Sequence, residues 1–167
     1  ASQDSWTPHE AKIISLREEN ANVKTYRLRP SVPMETARPG QFNMLYVPGL
    51  GECAISLSDL SDSGQMDHTI RSVGNVTAAL ARMTVGDSIG VRGPFGSGWP
   101  MDECVGKDVI IVGGGIGLAP LRPVVSEIIS RRDDFGQVSM LIGARSPTDL
   151  LYASQYENWR DAGIHVD

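Results

Sequence analysis

Cysteine is scarce in this 167-residue chain: Cys53 and Cys104 are the only two, far apart and without CxxC spacing. A bridge between them is open on arithmetic alone, but free thiols in a reducing, cytoplasmic setting are the expectation. The three histidines, His9, His68 and His165, stand alone with no ligand spacing, which argues against a metal site. No apolar run is long enough to cross a bilayer, and the polar opening Ala1–Trp6 does not read as a signal peptide. Lys and Arg form no run and the formal net charge is -5, so nucleic acid is not an expected partner. Trp6, Trp99 and Trp159 are scattered, as packing residues are, although Trp99 follows the Gly93-Pro-Phe-Gly96 turn near a change in chain character. No Ser–His–Asp or paired-carboxylate spacing is present to suggest hydrolytic chemistry.

What the chain does contain divides into two halves. At 41% hydrophobic residues it can bury one good core or two small ones. Ala11–Leu16, Val23–Leu28, Gln41–Val47, Cys53–Leu57, His68–Val73 and Ser88–Arg92 are short β-branched or alternating runs. Proline and glycine punctuate them at Pro30, Pro33, Pro39-Gly40, Pro48-Gly49, Gly64 and Gly74, which predicts an antiparallel barrel of about six strands. Val76–Met83 has helical spacing and is the one helix expected there. After Glu103 the pattern alternates: a strand at Asp108–Val112, a helix over Leu118–Arg131, a strand at Gln137–Ile142, a helix near Leu150–Asp161 and a third strand at Ile164–Val166. The boundary falls between a barrel over 1–103 and a Rossmann-like α/β domain over 104–167.

The most telling stretch is Asp108-Val-Ile-Ile-Val-Gly-Gly-Gly-Ile-Gly-Leu-Ala-Pro-Leu-Arg122. A buried strand meets a tight glycine turn and then a helix, where free N–H groups and a positive dipole end suit a phosphate. Pro120 stands where a third fingerprint glycine would be, and proline is at home in a first helical turn. Gly114, Gly115, Gly117, Leu118, Ala119 and Pro120 are therefore candidates for a nucleotide site. Arg145, after the second strand of this half, is a candidate for a ribose or phosphate contact or else a plain surface arginine. Two βα units and a third strand make an unfinished parallel sheet, so a longer parent chain is expected, and the uncovered edge invites self-association.

Arg38-Pro-Gly-Gln-Phe42, Ile55-Ser56, Gly74-Asn-Val-Thr77, Gly86-Asp87, Gly93-Pro-Phe-Gly96 and Gly113–Arg122 occur in the order found in the ferredoxin–NADP reductase superfamily, and from Lys12 onward the chain resembles it. Gly96-Ser-Gly-Trp-Pro100 and Leu141-Ile-Gly-Ala-Arg-Ser-Pro-Thr-Asp-Leu-Leu151 look most like flavin subunits of NAD(P)-linked hydrogenases and anaerobic sulfite reductases. The electron-transfer flavin subunit of dihydroorotate dehydrogenase is a close second. The resemblance implies a flavin-binding barrel, a nicotinamide-binding α/β domain, hydride exchange between NAD(P)H and FAD, and electron transfer with an iron–sulfur or hydrogenase-type subunit. It also implies a [2Fe–2S] cluster, expected only in a longer parent chain.

Carried over residue by residue, the resemblance implies that Ala54, Ile55 and Ser56 lie along the flavin ring. Thr69, Ile70 and Arg71 would reach its ribityl or phosphate portion, and Gly74, Val76 and Thr77 would hold its pyrophosphate. Thr77 is otherwise a helix cap and Arg71 otherwise a solvated strand residue. Cys53 stands where the family has an arginine, so one charge-assisted phosphate contact is missing. Two other readings stay open: a dihydroorotate-linked flavin subunit, and a non-catalytic barrel that has lost flavin. NAD and NADP are not separated by these residues.

Overall fold

The computed structural model describes residues 6–61 and 63–167. Six strands close a barrel: β1 (His9–Asn20), β2 (Val23–Pro30), β3 (Phe42–Val47), β4 (Gly51–Leu60), β5 (Met66–Arg71) and β6 (Ser88–Phe95), in the order β1-β2-β5-β4-β3-β6. Every pairing is antiparallel, and β1 closes the ring on β6, with His9 opposite Val91. Alternation along the strands sends Ile13, Leu28, Leu45, Leu57, Ile70, Ile89 and Val91 inward, where they are nearly all solvent-free. Each contributes roughly 1.5–3 kcal/mol of apolar burial. A single helix, α1 (Asn75–Ala81), stops one end of the barrel with Ala79 and Leu80, and the buried Tyr26 hydroxyl donates to the Leu80 carbonyl at 3.0 Å.

The second half is a parallel sheet of three strands, β7 (Val109–Gly114), β8 (Val138–Gly143) and β9 (Ile164–Val166). Ile111, Val138, Met140, Ile164 and Val166 form its buried face. Against them pack Val124, Val125 and Ile128 of α2 (Arg122–Ser130) and Trp159 of α3 (Tyr156–Asp161). Val23 of β2 joins this second core, so the two halves touch through apolar contact as well. The opposite sheet face is bare: Ile110 and Val112 are 71% and 68% exposed, and Leu141 is exposed beside them.

The expected architecture is present, with shifted boundaries. The helix expected from Leu118 starts at Arg122, because Gly115–Leu121 winds as a 3₁₀ turn instead. Pro123 lies in the first turn of α2, and an α-helix begun at Leu118 would drive its ring into the carbonyl one turn back. The helix expected near Leu150–Asp161 is confined to α3, because Tyr152 adopts a left-handed backbone (φ 58) that breaks the run. Both cysteines are free. Among the described residues no helix is long and apolar enough to cross a membrane.

Candidate functional site

The candidate residues from the two halves meet where the end of β5 faces the glycine turn after β7. Gly115 has φ +52, a conformation L side chains rarely adopt, and a methyl group added there would lie 3.5 Å from Arg71 Nη2. Gly114 sits directly across the ladder from Gly143, and a Cβ at Gly117 or Gly143 would meet no atom within 4 Å. The carboxyl edge of this sheet, where open α/β folds take ligands, is therefore bare backbone. Leu118 and Ala119 are buried, so they shape the turn from beneath, and Pro120 lies within it.

Arg71 is the cation of this junction. Its Nε is buried without a hydrogen bond, and among the described residues it has no carboxylate partner. A half-buried guanidinium left in that state beside a glycine turn suits an incoming anion. Cys53 offers no substitute charge. Burial, and then the neighbouring Glu52 carboxylate, push its thiol above the ordinary range, so it stays neutral. Arg92 is committed to Glu52 through two hydrogen bonds.

Thr77 Oγ1 accepts from the backbone N–H groups of Val73 and Gly74, at 3.0 and 2.9 Å, and donates to the Gly74 carbonyl at 3.0 Å. That hydroxyl holds the turn before α1, so its own proton is already committed. Val76 packs on the barrel core and Gly74 is exposed at the start of the turn. On β4, Cys53 and Ile55 face the barrel core, whereas Ala54 and Ser56 alternate to the other side. The Ser56 carbonyl accepts from His68 Nδ1 at 3.0 Å. His68 is fully buried, and desolvation lowers its pKa to about 4, so it is neutral with its proton on Nδ1. That tautomer leaves Nε2 to accept from the Asn43 amide at 3.1 Å.

Three candidates have side chains placed or paired elsewhere. Ile70 is a core residue of the barrel, and the Thr69 hydroxyl is buried among Ser58, Thr25 and Tyr152. Arg145 is 89% exposed at its side chain and pairs with Asp149 at 3.5 Å. His68, Tyr152 and Arg122 carry contacts that spacing along the chain did not single out; the one local signal was the place of Arg122 at the end of the glycine-rich stretch. Among the described residues no cluster of three or more His, Cys, Asp or Glu could hold a metal ion.

Comparison with known proteins bears on both halves. Residues 10–98 match the oxidoreductase FAD-binding domain family and residues 111–164 match the oxidoreductase NAD-binding domain family. The chain is 34% identical to sulfhydrogenase 1 subunit gamma of Pyrococcus furiosus over 158 residues, covering 92% of this chain and 54% of that protein. It is also 34% identical over 149 residues to the "Probable dihydroorotate dehydrogenase B (NAD(+)), electron transfer subunit" of Methanocella arvoryzae, covering 89% of this chain and 53% of that one. The chain thus spans about half the length of the curated relatives it matches. The ferredoxin reductase in carbazole 1,9a-dioxygenase shares the fold, with a TM-score of 0.80 at 23% identity over 99% of this chain and 53% of that one.

Proposed function

Because the chain belongs to the FAD- and NAD-binding oxidoreductases of the ferredoxin–NADP reductase type, we propose that it holds FAD on the barrel and presents it to a nicotinamide nucleotide at the β7 turn. The observation that carries this reading is Arg71, whose Nε is buried without a partner while its Nη2 stands beside Gly115. The cradle fits a dinucleotide: one uncommitted guanidinium beside Gly115 and open space over Gly117. Bound FAD would supply hydride exchange with NAD(P)H and the release of electrons one at a time.

Each part of the chain then has its task. Arg71 replaces, from the next strand, the phosphate contact that Cys53 cannot make. Thr77 holds Val73 and Gly74 in the conformation that opens the turn toward a pyrophosphate. Ala54 and Ser56, on the side of β4 away from the core, lie beside the ring, with Ile55 packed beneath them, and His68 fixes the Ser56 carbonyl from inside the barrel. Gly114, Gly115 and Gly117 let a nucleotide approach the backbone of the 104–167 half. The electron partner is an iron–sulfur or hydrogenase-type subunit, on the strength of the sulfhydrogenase likeness. A reducing, cytoplasmic compartment suits the two free thiols. A dihydroorotate-linked subunit is the second reading, favoured by the equal identity to that electron transfer subunit.

The test is the visible spectrum after incubation with FAD and removal of excess cofactor. A flavin spectrum that NADH bleaches without oxygen is expected. Arg71→Met should weaken flavin retention about tenfold or more, since hydrogen bonds to charged groups contribute about 1.5–3 kcal/mol. A colourless protein that resists reconstitution would favour the flavin-free barrel.

A further inference from the structure

The two halves are joined by buried polar contacts. Tyr152, between β8 and α3, is the one described non-glycine residue with a positive φ, at 58°. It is 2% exposed, and its hydroxyl reaches into the barrel to donate to Thr69 Oγ1 at 2.6 Å. Thr69 in turn donates to Ser58 Oγ at 2.8 Å and lies 2.8 Å from Thr25 Oγ1. A bulky aromatic in left-handed backbone is a local strain, and such strain persists only where surrounding contacts over-determine it.

Arg122 makes the second crossing. It opens α2 directly after the glycine turn and is 6% exposed. Its Nη2 lies 3.0 Å from Asp59 Oδ2, and its Nη1 reaches the Ser58 carbonyl at 3.2 Å and Asp67 Oδ2 at 3.4 Å, all on the barrel. Its Nε donates to Gln155 Oε1 at 2.9 Å, and its guanidinium stands 5.0 Å from the Tyr152 ring centroid. Arg27 pairs with Asp67 as well, so two cations meet two carboxylates and the cluster is neutral. Buried ion pairs of this kind are best attested as devices of register rather than of net stability.

We propose that Tyr152 and Arg122 act as positioning residues, a two-point clamp that fixes the Gly115–Leu121 turn against β5. Thr69 and Arg71 are two apart on one strand and so share a face. The clamp therefore grips, at Thr69, the strand face that offers Arg71 to Gly115. The Thr69 hydroxyl serves this clamp. The consequence for chemistry rests on the function proposed above: a nucleotide on the turn would meet a flavin on the barrel at a separation set by Tyr152 and Arg122.

Tyr152→Phe and Thr69→Val each remove one side of the 2.6 Å hydrogen bond while keeping shape, and they are compared singly and together with the unaltered chain. Amide hydrogen exchange across Gly113–Leu121 needs no cofactor. It is expected to quicken about tenfold in either variant and no further in the double variant, with β1, β3 and β6 unchanged. Exchange at the turn that stays unchanged overturns the clamp, whatever FAD does. Anaerobic reduction of the FAD-loaded protein by NADH gives the second readout: a rate about tenfold lower, with KM for NADH and flavin affinity held within about twofold. Faster exchange with an unaltered reduction rate leaves a purely structural joint and overturns the positioning role. If the unaltered chain takes up no FAD, the functional reading fails instead, and exchange alone decides the clamp.

Discussion

His68 and Asn43 face each other across 3.1 Å inside the barrel, the Asn43 amide donating to an imidazole held neutral by burial. Protonation of His68 requires it to charge in a site with no solvent, which is why its pKa falls from 6.5 to about 4. The unfolded chain therefore binds this proton first. Stability is full above pH 6.5 and is lost as pH falls toward 4, by about 3 kcal/mol for this group. Urea unfolding at a series of pH values is expected to show that decline, and His68→Gln to flatten it. A decline of equal steepness in the variant would assign it to other groups.

Thr77 closes a turn with one hydroxyl. Thr77→Val is expected to lower stability by about 1–2 kcal/mol, because two backbone donors and one carbonyl lose their partner, and Thr77→Ser is expected to restore most of it. Thermal melts of the flavin-free protein test this without any ligand. Equal melting of all three proteins would contradict it.

Gly136 lies in the tight connection between α2 and β8. A methyl group there would collide with Asp108 Oδ1 and fall 3.1 Å from the Lys107 carbonyl. Asp108 Oδ1 also accepts from the Gln137 backbone N–H at 2.7 Å. Gly136→Ala is expected to cost about 1–3 kcal/mol, as overpacking does. Limited proteolysis should show the loss confined to the α/β half, with cuts after Asp108 appearing before any in β1–β6.

Ile110 and Val112 stand exposed on the uncovered face of the parallel sheet. Ile110→Lys is expected to leave unfolding free energy within about 0.5 kcal/mol and to reduce self-association in sedimentation velocity. A monomer before and after substitution would show that the bare face does not drive association.

The barrel was legible because each strand repeats an inward apolar residue at every second position, bounded by Pro or Gly, and such local patterning survives in one dimension. Six strands and one helix followed from it. The glycine turn was legible because a β-branched run meets three consecutive glycines at Gly113–Gly115. The onset of α2 was not, because apolar spacing runs unbroken through Leu118 and Leu121, and only the place of Pro123 in the first turn decides where the helix starts. The roles of Arg122 and Tyr152 were beyond reach: their partners, Asp59, Asp67 and Thr69, are 63, 55 and 83 residues away. Thr69, implied as a flavin contact by the resemblance, has a hydroxyl held by Ser58, Thr25 and Tyr152, partners that no local spacing reveals.

Gly114 opposite Gly143 leaves the carboxyl edge of β7 and β8 without a single Cβ between them. Whatever docks there is read by peptide groups whose positions depend on backbone path rather than on side-chain identity. Substitution at neighbouring surface positions would therefore leave this edge as competent as before, and only a change that bends the strands, or adds a carbon at one of these glycines, would close it. Discrimination between one nucleotide and another must then come from residues off this edge, so affinity and choice are free to evolve separately.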